Sequence, residues 1–173
     1  MAFSIRNPDP GTAGLYSIDY TVGRGCVNMK DDVLLAQICL NITYFLRQDQ
    51  PYARRYIRSR EELGLQELKE DGICGPLTIA RIEQLQNDMA RKGDQGMGAI
   101  PVKVDGRFDV SPEPGVTHLG PRKHVYSFES MNFVLTEHAE DEAAARYKSL
   151  PRTAPSPLLA ALADHRRYPR RFR

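Results

Sequence analysis

No stretch of this 173-residue chain approaches the roughly 18 consecutive apolar residues that a membrane-spanning helix needs. Membrane insertion is therefore not expected. The opening residues, MAFSIRNPDPGTAG, lack the apolar core of a secretory signal, so the chain reads as one synthesised in the cytoplasm without a visible signal peptide. Cysteine is scarce: Cys26, Cys39 and Cys74 make an odd number, with no CxxC and no metal-ligand spacing. All three read as thiols. Cys39 lies inside an apolar helical stripe, while Cys26 and Cys74 fall in turns that precede helices and could lie near each other. The histidines His118, His124, His138 and His165 form no HExxH, and the spacing from His118 to His124 has no nearby aspartate. No metal site and no cofactor are expected. VGRGC lacks the remaining glycines of a dinucleotide fingerprint.

Net charge is also small, at +2, but it is unevenly spread. Residues 151–173 hold six arginines against one aspartate, so this end carries +5 and the rest −3. Arg166, Arg167, Tyr168, Arg170, Arg171, Phe172 and Arg173 interleave cations with rings, a composition that can neutralise phosphate and stack on bases. The body is mildly acidic and offers no matching basic face. A solvated or partner-docking terminus is the reading preferred over nucleic acid.

With 41% hydrophobic and 27% charged residues, the chain is globular material for one core with extensions. LYSIDYTV alternates and predicts a short strand near Tyr16 to Val22 after an extended lead-in over residues 1–20. A first helix is predicted from about Met29 to Leu46, capped by Asn28, with Asp31 and Asp32 in its first turn. Leu34, Leu35, Ile38, Ile42, Phe45 and Leu46 recur at helical spacing and form one stripe on one face. Residues 47–62 are a charged connection, in which Tyr52 and Tyr56 fit a short amphipathic helix after Pro51.

Residues 71–86, DGICGPLTIARIEQLQ, then join a tight Asp71–Gly72 turn to a helix beginning at Pro76, a position where the missing N–H would have had no partner. Ile79, Ile82, Leu85 and Met89 give this second helix, running to about Arg91, one buried face. Val102, Val104 and a second pair, Asp105–Gly106, predict a short strand and turn. This echoes the first turn, but Asp109 follows Phe108 where Gly-Pro would be needed, so it is not read as a repeat. Residues 111–123 read as loop, and a third helix is expected from Ser127 or Ser130 to Lys148. Ser156 and Pro157 would open a short helix in a Pro-linked tail, leaving Leu158, Leu159 and Leu162 exposed unless something covers them, so this helix reads either as a docking peptide or as the last helix of the core.

Residues 22–92 resemble the peptidoglycan-binding-like domain, a small helical module usually attached to cell-wall enzymes. The likeness rests on Val22, Gly23, Asn28, Asp32, Val33, Leu35, Gln37 and Leu40 in the first segment, and on LGLQELKEDGICGPLT and the helix Ala80 to Gln86 in the second. Cys74 stands where the family often has Phe, and the connection between the two segments is longer and more charged than usual. The resemblance implies a mainly α fold, a small three-helix bundle over residues 21–149 with a short strand or extended N-terminal segment, followed by a basic tail over 150–173.

The carboxylate run Glu137, Glu140, Asp141 and Glu142 is followed by Arg146 and Lys148 and reads as a solvated helix face. The turn cysteines have no identifiable histidine partner. Catalysis is not expected. The resemblance implies instead a non-catalytic module at the cell wall, and the want of a visible signal peptide implies in turn an accessory of a phage particle or a contractile injection machine that carries it to the periplasm. Tyr52, Arg54, Arg55, Tyr56, Asp71 and Thr78 are its candidate ligand contacts for peptidoglycan. The alternative is a structural or adaptor subunit of such a particle that binds a protein assembly, with Leu158, Leu159, Leu162, Arg166, Arg167, Arg170 and Arg171 as partner-docking residues.

Overall fold

Lys30–Asn41 forms the first helix, α1, and its burial runs without a break from Asp31 to Asn41. A helix with a single apolar stripe packs on one side, whereas one enclosed all round lies inside the domain. α1 is of the second kind, which corrects the one-sided stripe expected of it. The computed structural model describes residues 1–6, 15–46, 58–93, 102–112, 118–119, 124–136, 142–163 and 165–167. Within these, the fold is mainly α with a short strand segment at its N-terminus.

Three short strands precede the helix: β1 (Phe3–Arg6), β2 (Leu15–Ser17) and β3 (Val22–Gly23). Asn28 does not cap α1; Met29 holds the cap position without a side-chain hydrogen bond. Asn28 instead adopts φ +56° and turns its amide back on the 23–28 turn. Its Oδ1 accepts from the Gly23 amide at 2.8 Å, and its Nδ2 donates to the Gly23 and Cys26 carbonyls at 3.0 and 3.1 Å. Asparagine suits this role because a short amide tolerates the left-handed region and bonds locally. Asp31 and Asp32 do sit in the first turn of α1, as expected.

Beyond Asn41 the chain continues as a π-helical segment, Ile42–Leu46. Next come α2 (Arg60–Leu63), fixed by a Ser59–Glu62 capping box and a left-handed Gly64, and α3 (Pro76–Gly93). β4 (Arg107–Phe108) pairs antiparallel with β3, so the expected strand lies after the Asp105–Gly106 turn, not before it. β5 (His118–Leu119), inside the segment expected to be loop, pairs with β6 (His124–Val125), which follows that segment directly. The third helix is two, α4 (Ser127–Thr136) and α5 (Glu142–Thr153), with residues 137–141 outside the described set.

The C-terminal part departs most from expectation. α6 (Ser156–Leu162) packs against α1, α5 and β1. β7 (His165–Arg167) adds to β1 in parallel, giving the sheet order β2-β1-β7. Leu158 and Leu162 are each 0% exposed, and Leu159 packs half-buried beside them. Their expected partner-docking role is corrected: the partner they cover is this chain's own core. The described residues after 150 are thus part of the same fold.

Around α1 lie α3, α4, α6 and β3. The far side of the core is tied by a polar knot, in which the Tyr147 hydroxyl donates to Asn132 Oδ1 at 2.9 Å and accepts from the Tyr16 amide at 3.1 Å. Asn132 Nδ2 completes it by donating to the Tyr16 carbonyl at 2.6 Å. Burial pushes both tyrosines well above the usual phenol range, so each hydroxyl keeps its proton, and that of Tyr147 is the donor to Asn132.

Candidate functional site: the Asp71 turn and its glutamine clamp

From Leu65 to Gly75 the chain has no regular ladder, yet its backbone groups must find partners where they are buried. Side chains of α1 and α3 supply several of them. Asn41 pairs with Leu68 as a strand would, Nδ2 to the carbonyl and Oδ1 from the amide, both at 2.9 Å. One turn earlier on the same face, Gln37 Oε1 accepts from the Asp71 and Gly72 amides at 3.1 and 2.8 Å. Its Nε2 reaches Asp71 Oδ1, the Ile73 carbonyl and Thr78 Oγ1 at 3.2, 3.1 and 3.3 Å. Arg81, on α3, donates to the Gln66 carbonyl at 2.8 Å.

Asp71 completes the turn by accepting from the Ile73 amide at 2.9 Å, and that bond, with the one from Gln37, holds its carboxyl below the usual carboxylate range. Gly72 takes φ +73°, and a Cβ there would lie 2.6 Å from the Lys30 carbonyl oxygen. A side chain is excluded on both counts. The turn consequently lies against the start of α1.

The same construction recurs at the second Asp–Gly pair. Gln86 Oε1 accepts from the Asp105 and Gly106 amides at 3.0 and 2.9 Å, while its Nε2 donates to Asp105 Oδ1 and the Arg107 carbonyl at 3.3 and 2.7 Å. Asp105 accepts from the Arg107 amide at 3.1 Å, and Gly106 takes φ +70°. Lys69 stands 3.7 Å from Asp71, and Lys103 stands 2.6 Å from Asp105. The two turns therefore share one geometry without sharing the Gly-Pro that follows the first. Each consists of Lys-x-Asp-Gly gripped by a glutamine of the preceding long helix.

Of the residues expected to contact ligand, Asp71 and Thr78 are brought together by Gln37, and Thr78 is buried. Both hold the turn in shape. Tyr52, Arg54, Arg55 and Tyr56, and the docking candidates Arg170 and Arg171, lie outside the described residues. Arg166 and Arg167 stand on β7 opposite Ile5 and Arg6. What the turn presents outward is aliphatic: Ile73 is 67% exposed and Leu77 69%, with Val27 at 62% and Met29 at 38% on the adjoining turn before α1. Periodicity could not find these residues, because it searches for faces that are hidden.

A second cluster lies at the π-helical end of α1. Asp88 is fully buried and accepts from Tyr44 Oη at 2.9 Å, Arg58 Nε at 2.8 Å and Gln84 Nε2 at 3.0 Å. Burial, with Asp88 beside it, keeps the Tyr44 hydroxyl protonated. Arg81 lays its guanidinium over the rings of Tyr44 and Phe45, at 5.3 and 5.6 Å. π-helical segments often mark functional sites, but here the three donors engage the carboxylate and the cation rests on rings. The arrangement fastens α1 to α3. Among the described residues, no group of three His, Cys, Asp or Glu is placed to hold a metal ion, and no helix is long and apolar enough to cross a membrane. Comparison with models of protein families, with curated proteins and with solved structures finds no match to this chain.

Proposed function

We propose that this chain is a non-catalytic peptidoglycan-binding-like module that acts at the cell wall as an accessory of a phage particle or contractile injection machine. The resemblance over residues 22–92 motivates this reading, and the observation that carries it is the clamped Asp71 turn. Gln37 spends its whole amide on holding a surface turn rigid, and that turn displays Ile73 and Leu77 with Val27 and Met29 beside them. A rigid apolar display loses little conformational freedom when a ligand lands on it. Tyr52 and Tyr56, in the charged segment before the turn, would add the ring faces on which sugars stack.

One feature favours a second reading, that of an adaptor subunit docking on protein. Val27, Met29, Ile73 and Leu77 are all aliphatic, and apolar side chains of this kind suit the centre of a protein interface better than a glycan. Co-sedimentation with purified sacculi decides between them. Retention that survives moderate salt, and is lost in a Tyr52→Ala/Tyr56→Ala variant, supports wall binding. If the wild type stays in the supernatant while Ile73→Asp/Leu77→Asp abolishes its incorporation into an assembled particle, the adaptor reading stands and the first falls.

A further inference from the structure

Both Asp–Gly pairs of the chain, Asp71–Gly72 and Asp105–Gly106, lie in the clamped turns. A glycine has no side chain to obstruct its own nitrogen, so an aspartate before it is open to attack from the next peptide bond. The reaction needs no co-reactant but water. The glycine amide nitrogen bonds to Cγ of the aspartate, and the hydroxyl of the protonated carboxyl leaves with the amide proton as water, closing a five-membered succinimide. Water then adds to one ring carbonyl and breaks its bond to nitrogen. Addition at the former backbone carbonyl leaves the chain running through Cβ as isoaspartate, with the same atoms as before and no electrons transferred.

In both turns the fold engages the groups that the first step uses. The Gly72 amide donates to Gln37 Oε1 at 2.8 Å and the Gly106 amide to Gln86 Oε1 at 2.9 Å, so each attacking nitrogen is held through its proton. Asp71 Oδ1 accepts from the Ile73 amide at 2.9 Å and from Gln37 Nε2 at 3.2 Å, while Asp105 Oδ1 accepts from the Arg107 amide at 3.1 Å and from Gln86 Nε2 at 3.3 Å. Each carboxyl is thereby fixed on the amide beyond the glycine. The bonds from Ile73 and Gln37 also hold the Asp71 carboxyl below the usual carboxylate range, and an ionised carboxyl has no hydroxyl to release. The product fits neither turn. Isoaspartate lengthens the backbone by one atom, yet a Cβ on Gly72 would already lie 2.6 Å from the Lys30 carbonyl oxygen, and one on Gly106 would lie 2.9 Å from Ile79 Cγ2.

We propose that Asp71–Gly72 and Asp105–Gly106 are latent isoaspartate sites, each closed in the folded protein by its own glutamine and opened when that glutamine lets go. The proposal is independent of what the module binds. The full-length chain is incubated for several weeks at physiological temperature and pH, and isoaspartate at each pair is measured by peptide mapping with electron-transfer fragmentation, because the two isomers have equal mass. Folded wild type should form isoaspartate at both pairs at least about tenfold more slowly than the same chain in urea. Gln37→Ala should speed the reaction about tenfold at Asp71–Gly72 and leave Asp105–Gly106 at its wild-type rate, and Gln86→Ala should do the reverse. Each variant thus carries its own control, since unfolding of the whole domain would raise both pairs together. If an alanine variant does not fold, the corresponding Gln37→Glu or Gln86→Glu, which keeps the acceptor oxygen but sets a second carboxylate against the aspartate, should raise the same single pair. Isoaspartate forming in folded wild type as fast as in urea overturns the proposal. So does a folded clamp variant that leaves its own pair at the wild-type rate or raises both pairs alike.

Discussion

Gln37 is a polar side chain on the central helix, 2% exposed, and it is satisfied because a turn 34 residues later brings its amides to meet it. Its removal would leave the Asp71 and Gly72 amides without their acceptor, which costs more than the hydrogen bonds themselves are worth. Gln37→Ala is therefore expected to lose about 2–4 kcal/mol in urea unfolding at unchanged m-value. Gln86→Ala should lose a similar amount, because Gln86 does the same for Asp105 and Gly106. A loss below about 0.5 kcal/mol for either would show that water replaces the amide freely, and the clamp would then have no structural weight.

Asp32 is the other residue whose chemistry can be read out alone. Burial pushes its carboxyl up to about 6, against the opposing pull of the Met1 amino group and the backbone amides of Asp19 and Tyr20. The folded state thus holds a proton that the unfolded chain has released between about pH 4 and 6. Stability from this group is fully present below about pH 4 and is lost as the pH rises through 6. Relative to Asp32→Asn, the wild type should lose about 1–2 kcal/mol between pH 4 and 7, allowing for screening on the Asp19 side. Urea midpoints of both proteins at each pH check this, and parallel curves would mean that the carboxyl titrates normally.

At the scale of elements, the two long helices were legible and their surroundings were only partly so. The first helix was placed within a residue of its start, and Pro76 opens the second as its fixed φ dictates. Periodicity assigns the polar positions of a helix to solvent, and on α1 and the π-helical segment that continues it this fails at Asp32, Gln37, Asn41 and Thr43, all buried. Each bonds backbone: Asp32 that of the 19–20 segment, Gln37 and Asn41 that of 68–73, and Thr43 the Cys39 carbonyl of its own helix. Such partners are distant in sequence, so no local pattern reveals them. The second turn did have a readable signal. Lys-x-Asp-Gly occurs at 69–72 and again at 103–106, and each follows a helix carrying a glutamine behind a leucine or alanine. Requiring Gly-Pro after the turn hid the recurrence, because Gly-Pro starts a helix and the second turn leads into a strand. At the Asp71 turn, the Asp71–Gly72 pair is legible as a turn, Thr78 reads as a ligand contact where it in fact lies buried against Gln37, and the exposed aliphatic residues around them carry no pattern to read.

At the scale of the whole molecule, the C-terminal residues decide whether α1 is covered. Leucines beyond a Pro-rich stretch look like an unsatisfied docking peptide when the chain is read in order, since nothing local can bury them. In three dimensions α6 lies on α1 and β1, and β7 extends the sheet that begins at Phe3, so the two ends of the chain close the fold together. Leu158 is 0% exposed, and its truncation leaves a cavity against a helix that has no solvent face to relax into. Leu158→Ala should cost about 2–4 kcal/mol, whereas Leu159→Ala, half-buried on the same helix, should cost distinctly less. Deleting residues 155–173 should be far worse, exposing α1 and unpairing one edge of β1, and cooperative thermal unfolding should be lost. A deletion variant that melts cooperatively near the wild-type temperature would mean instead that α6 is a detachable tail, and that the core is complete without it.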